Sequence, residues 1–223
     1  MNIIPWRVRA AISNHFPLVY HLTSNLFRKR EGAEYWDKIL AEWWEQDVRR
    51  WPTKAKIIAE RCTPDSVLVD IACGNGSILK DLRSRGFQNL SGLEISHYAV
   101  KRLREEGFSM HQGVLPRIPL PDETFDTVIA SQVLEHIIRR NVFASEISRI
   151  MKPGGQAFIF VPNDCLGPID EPEHVIKYNQ VTFKSFLERH FDDVSIEVIK
   201  DTNFAMTVLL GHVRKAAPQD CKT

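Results

Sequence analysis

The run Val67-Leu68-Val69-Asp70-Ile71-Ala72-Cys73-Gly74-Asn75-Gly76-Ser77 limits this chain more than any other stretch. It sets a hydrophobic strand, a terminal acid and a loop of small residues directly before a helix. Gly74 and Gly76 have no Cβ and can take positive φ, so a ligand can approach the main chain closely. Open α/β sheets bind their cofactors at this carboxyl end of the strand. The next strand ends in Leu93-Glu94-Ile95, and an acid there can accept both hydroxyl hydrogens of a ribose.

The positions after the loop separate the nucleotide classes. A dinucleotide-binding G-x-G-x-x-G loop would need glycine at Leu79, where a bulky side chain opposes close approach of the helix to a pyrophosphate. The phosphate loop G-x-x-x-x-G-K-[ST] is absent as well.

From Ser66 onward short apolar strands alternate with helices, as in a mainly parallel sheet built from βαβ units. Strands are expected at Ser66–Ile71, Leu90–Glu94, Ser109–Gln112, Thr127–Ser131 and Gln156–Val161. Helices are expected at Ser77–Ser84, Ser96–Glu106, Asn141–Met151 and Val181–Phe191, the third stopping at Pro153-Gly154-Gly155. The apolar runs Val194–Ile199 and Met206–Val213 are expected as an antiparallel pair at the sheet edge. Residues 1–60 read as a helical cap: Val8, Ile12, Phe16, Val19, Leu22 and Leu26 follow the helical period, with Pro17 as a kink. A second helical stretch carries Tyr35, Trp36, Ile39, Leu40, Trp43 and Trp44 and ends near a Trp51-Pro52 turn. The domain proper is then 61–215, and 216–223 is a tail.

Composition narrows the class of protein. With 29 basic against 28 acidic side chains, no field of one sign gathers phosphates, so charge does not argue for nucleic acid. The four cysteines, Cys62, Cys73, Cys165 and Cys221, are too scattered for a zinc site or a disulfide framework, and they fit reduced thiols in the cytoplasm. No stretch approaches the ~20 apolar residues of a membrane span. Arg7, Arg9, Arg28, Lys29 and Arg30 flank an apolar face that could rest on an anionic membrane, although a helix packed on its own domain is the simpler expectation.

Further motifs follow the loop in order. They are Leu120-Pro121-Asp122-Glu123-Thr124, Phe125-Asp126-Thr127-Val128-Ile129-Ala130-Ser131, Val133-Leu134-Glu135-His136-Ile137 and Met151-Lys152-Pro153-Gly154-Gly155. Together with the D-x-G-x-G-x-G-like loop, they resemble class I S-adenosylmethionine-dependent methyltransferases of the type 11 kind over about Val67 to Phe191. That resemblance implies a Rossmann-like fold: a seven-stranded, mainly parallel sheet with an antiparallel edge strand, helices on both faces and S-adenosylmethionine as cofactor. It also implies that Asp70 helps hold the methionine end and that Ala72, Cys73, Gly74, Asn75 and Gly76 cradle it. Glu94 would bind the ribose and Ile95 one adenine face, with Ser131 and Gln132 completing the cleft. Two positions depart from the pattern. Ala72 replaces the first loop glycine, at small cost if its φ is negative. Val114 stands where many relatives carry an acid, which leaves the adenine amine to backbone groups of Val114 or Leu115.

Catalytic residues are less determined. His136 is the first choice for a proton acceptor, because an imidazole titrating near ~6.5 can take a hydroxyl proton, and His174 is the second. Some related O-methyltransferases bind a divalent ion through an E-x-x-E-H segment, and Glu135, His136 and His174 could converge in that way. Gln132 is a weak ligand at the first position, so no metal is assigned. The expected activity is O-methylation of a small molecule or glycan. RNA 2′-O-methylation, a membrane-associated lipid or quinone acceptor, and a non-catalytic donor-binding protein are the alternatives.

Overall fold

The computed structural model describes residues 32–44, 52–163, 174–200 and 207–217. Among the described residues, two helices, α1 (Ala33–Trp43) and α2 (Pro52–Arg61), precede the first strand. Then come β1 (Leu68–Ile71), α3 (Ser77–Ser84), β2 (Leu90–Glu94), α4 (His97–Glu105), β3 (Ser109–Gln112) and β4 (Phe125–Ser131). A 3₁₀ turn at Leu134–His136 leads to α5 (Arg140–Ile150), β5 (Met151–Pro162), α6 (Gln180–Leu187), β6 (Asp193–Lys200) and β7 (Thr207–Arg214). The sheet has seven strands in the order β3-β2-β1-β4-β5-β7-β6. The first five run parallel, and β7 lies antiparallel to both β5 and β6, as expected of the last two apolar runs.

Parallel strands covered by helices on both faces must be apolar on both sides, and all four residues of β1 are buried. Successive residues serve opposite layers. Val69 and Ile71 join the layer formed with Phe143 and Ile147 of α5 and Phe183 and Leu187 of α6. Leu68 joins Ile58 of α2, Leu79 of α3 and Leu103 of α4. Chain order reverses between β1 and its neighbour β4, and this opens a crevice at their carboxyl ends.

The structure differs from the sequence expectations at several joints. Pro52 begins a helix instead of closing a turn, because a first-turn residue needs no N–H partner and the fixed proline φ already suits a helix. The Met151–Gly155 segment, expected as a helix stop, already belongs to β5. Gly154 takes φ +76°, the register against β4 shifts there, and a Cβ on Gly155 would lie 2.8 Å from the Lys152 carbonyl oxygen. Helix α6 is shorter than expected, and a reciprocal Asn179–Thr182 capping box sets its start. The cap residues Val8 to Leu26, the basic flank Arg7 to Arg30 and Trp51 fall outside the described residues. Among the described residues no helix is long and apolar enough to cross a membrane.

Candidate active site

The loop after β1 is a series of tight turns. The N–H groups of Ala72 and Cys73 both donate to the Leu93 carbonyl of β2, at 2.7 and 3.2 Å, and Gly76 N–H donates to Cys73 O at 2.9 Å. Gly74 and Gly76 take φ +56° and +72° but for different reasons. A Cβ on Gly76 would lie 2.6 Å from Leu103 Cδ2, so this glycine lets α3 pack on α4. Among the described residues, a Cβ on Gly74 would come no nearer to another part of the chain than 4.0 Å, at Leu40 Cδ2, so these residues leave space beside Gly74 above β1.

Ala72 corrects the expectation of a negative φ, because it sits at φ +57° in the left-handed region. A side chain there costs on the order of 1 kcal/mol or more. The turn is fixed by both bonds to Leu93, so the alanine accepts the strain. Ala72→Gly should therefore stabilise the fold by up to about 1 kcal/mol, against the usual loss for glycine. Chemical denaturation of both proteins checks the sign.

Glu94, at the end of β2, is buried, and its carboxylate clamps the main chain. Gly74 N–H donates to Oε2 at 2.8 Å, while Ile95 and Ser96 N–H donate to Oε1 at 2.8 and 3.2 Å. Burial raises its pKa, and these three donors hold the rise in check. Asp70 has no such set of donors. Burial, and next the nearby charge of Glu94, push it up to about 8, with Lys54 opposing; its Oδ1 is buried without a hydrogen-bond partner. Burial likewise pushes up the Cys73 thiol.

Across the crevice, β4 ends at Ser131, whose Oγ accepts a 2.9 Å hydrogen bond from Lys54. Gln132 takes φ +55°, and its Nε2 is buried with no partner. Glu135 is fully buried, and its carbonyl accepts the N–H groups of Val175 and Ile176 at 2.8 and 3.3 Å. This tie brings His174 to the 3₁₀ turn. One ligand atom each from Glu135, His136 and His174 lies within 4.8 Å of the others, and the two imidazole rings stand 4.9 Å apart. The group carries the donor types of a divalent cation site.

The remaining expected residues divide by position. Ile95 is half-buried beside the loop. Gly113 N–H donates to the Glu94 carbonyl at 3.2 Å, which brings Val114, exposed, and Leu115, packed on the core, to the same side. Asn163, just past β5, donates through Nδ2 to Thr207 Oγ1 at 3.1 Å. Of the aromatic group, Trp44 is buried edge-on against Tyr98 and serves packing.

Sequence reasoning missed two residues. Asp37 of α1 accepts from Ser96 Oγ at 2.6 Å and Tyr98 N–H at 3.0 Å, which fixes α1 on the start of α4. Lys54 lies in α2, just past the expected Trp51-Pro52 turn. The signal was present, since Lys54 lies four residues from the buried Ile58, on one helical face.

Residues 69–159 match the family model of the methyltransferase domain. This is a class I S-adenosylmethionine-dependent methyltransferase domain. A ubiquinone biosynthesis O-methyltransferase of Maricaulis maris is 25% identical over 149 residues, covering 56% of this chain and 58% of that one. An Arabidopsis thaliana tRNA (carboxymethyluridine(34)-5-O)-methyltransferase is 30% identical over 136 residues, covering 60% of this chain and 33% of the other. The chain thus spans less than two thirds of either relative. The methyltransferase fold is shared with the methyltransferase solved in complex with the Haloferax volcanii Trm112 activator. That match has a TM-score of 0.69 and 17% identity, and covers 82% of this chain and 97% of that one. The methyltransferase domain uses S-adenosylmethionine, and the crevice fits it: Asp70 Oδ1 offers a buried acceptor, Gln132 Nε2 a buried donor, and Gly74 leaves room above the loop.

Proposed function

We propose that this protein methylates an oxygen of a small molecule or glycan, with His136 as the proton acceptor. The observation that carries this reading is the convergence of Glu135, His136 and His174 just past β4, at the end of the sheet where the β1 loop lies. S-adenosylmethionine, when bound, supplies an electrophilic sulfonium methyl. Asp70 and the Ala72–Gly76 loop hold its methionine end, with Ser131 and Gln132 on the far side of the crevice. Glu94 takes the ribose, Ile95 an adenine face, and the backbone of Val114 or Leu115 the adenine amine. A carboxylate oxygen accepts more than one hydrogen bond, so Oε2 of Glu94 can keep Gly74 in place while taking a sugar hydroxyl.

His136 is less buried than Glu135 and His174 and so meets the acceptor. Its imidazole nitrogen receives the hydroxyl proton as that oxygen attacks, while Glu135 and His174 orient the ring. Proton transfer of this kind contributes about 10²–10⁴-fold, and alignment of the two reactants contributes more. Oxygen as the accepting atom agrees with the names of both relatives, while the near balance of charge favours a small acceptor over a polyanion.

The same cluster favours a second reading, metal-assisted 2′-O-methylation of RNA, because two imidazoles and a carboxylate suit a divalent cation. Radiolabelled donor offered with pooled metabolite, glycan and RNA fractions distinguishes the two. Label in small molecules or glycans, a loss of at least 100-fold in kcat for His136→Ala, and indifference to chelation are the expected results. Label in RNA, lost with EDTA and restored by manganese, supports the second reading instead.

A further inference from the structure

The start of α5 carries charge of the sign its own helix disfavours. A helix N-terminus attracts acids, because its leading N–H groups point outward without partners. Here the N-cap is Arg139, the next residue is Arg140, no side chain caps the end, and the first turn holds no acid. The guanidinium of Arg140 stands 5.5 Å from the centre of the buried Phe186 ring, and that of Arg189, just past α6, stands at the same distance. His190 Nε2 and Asn141 Oδ1, 3.2 Å apart, tie the end of α6 to this turn. Lys184 pairs with Glu188 at 3.5 Å, whereas Arg140 and Arg189 take no carboxylate partner among the described residues.

Tyr178 packs against the same Phe186 ring, with centroids 6.1 Å apart, and is only 2% exposed. Its hydroxyl is buried without a well-formed hydrogen bond, and the charged groups acting on it are Arg140, Glu135 and Arg189. A native fold seldom leaves a buried hydroxyl in that state, since the group has given up water for nothing. Burial raises its pKa, so it stays protonated and can donate. Glu135 is gathered with the imidazoles of His136 and His174, which leaves the arginines as the charges without a counter-ion among the described residues. Arg140 follows His136 by four residues, so their Cα atoms are at most about 14 Å apart. A small molecule can therefore reach His136 with one end and Arg140 with the other.

We propose that Arg140 and Tyr178 bind an oxyanion of the acceptor, a carboxylate or a phosphate, so that the compound methylated is an anionic hydroxy compound. This rests on the small-acceptor reading and names its chemical class. A guanidinium presents paired N–H donors that match either oxyanion, and the tyrosine hydroxyl adds another donor. Arg189 and the N-terminus of α5 add positive potential at longer range. Held by its oxyanion at this end of the cleft, the acceptor turns its hydroxyl toward His136.

Radiolabelled donor offered to the full chain with a pooled small-metabolite extract tests this, the products being split on an anion exchanger in mildly alkaline buffer. Most of the label should be retained. Prior treatment of the extract with phosphatase, or coupling of its carboxylates to methylamine, identifies the oxyanion, and one of the two should remove the retained label. Arg140→Gln should slow labelling at least about tenfold in dilute extract and less in concentrated extract, as a loss of acceptor binding requires, while calorimetry with S-adenosylhomocysteine stays as in wild type. Arg140→Lys should recover part of the rate. Tyr178→Phe should slow labelling in the same way yet melt no lower than wild type, because the hydroxyl it removes forms no good hydrogen bond within the fold. Label mainly in the unretained fraction would overturn the proposal, a result that needs no variant to fold. So would an Arg140→Gln rate equal to wild type in dilute extract. Label in RNA and none in the small-molecule extract would overturn the acceptor reading itself.

Discussion

Glu94→Ala should abolish measurable donor binding and lower the melting temperature at the same time. The carboxylate is expected on the ribose, and in the structure it also accepts the N–H groups of Gly74, Ile95 and Ser96. Alanine removes the ribose contact, and with it the acceptor for three main-chain donors packed close to the core. An unsatisfied buried donor costs about 1–3 kcal/mol, and water can enter here to relieve part of that, so a loss of a few kcal/mol is expected. Glu94→Gln separates the two effects. It keeps an acceptor oxygen toward the loop and should recover most of the stability, while donor affinity stays at least about 30-fold down because the charge-assisted bonds are gone. Calorimetry with S-adenosylhomocysteine and thermal melts of both variants check this. If Glu94→Ala binds as tightly as wild type, the ribose assignment falls.

Asp70→Asn should stabilise the ligand-free protein in alkaline solution and weaken it as an enzyme. In the folded chain, burial and the neighbouring Glu94 raise Asp70 to about 8, whereas in the unfolded chain it ionises near ~3.9. The folded state therefore holds this proton more tightly. The stability contributed by the neutral carboxyl is present below about pH 4 and lost as pH rises through about 8. An asparagine does not titrate, so its stability should not fall through that window. At roughly 1.4 kcal/mol per pKa unit over about four units, the variant should exceed wild type by on the order of 5 kcal/mol at about pH 9, and hardly at all near about pH 4. For a chain of this size that is roughly 10–20 °C in melting temperature. Donor binding should weaken at least about tenfold, because an amide cannot neutralise an ammonium. Parallel pH–stability curves for variant and wild type would show that Asp70 ionises normally in the fold.

These two carboxylates separate what the sequence could convey from what it could not. Their places at the ends of β1 and β2 follow from hydrophobic runs closed by an acid, and β2, β3 and α3 lie where periodicity and caps put them. The boundaries missed were those set by distant partners. Pro52 opens a helix because α2 has a sheet to cover, and Met151–Gly155 extends a strand because β4 lies beside it.

The order of elements, the glycine loop, the paired acids and the E-H motif were determined by sequence alone, because each depends on local periodicity or on residue types a few positions apart. Only the tertiary structure decided the positive φ of Ala72, the clamp of Glu94 on its neighbours' N–H groups, the proton held by Asp70, the meeting of His174 with His136, and the burial of Lys54. Each of those depends on which surfaces are brought together once the sheet closes. Desolvation and long-range hydrogen bonds arise between segments far apart along the chain, and no local pattern encodes them.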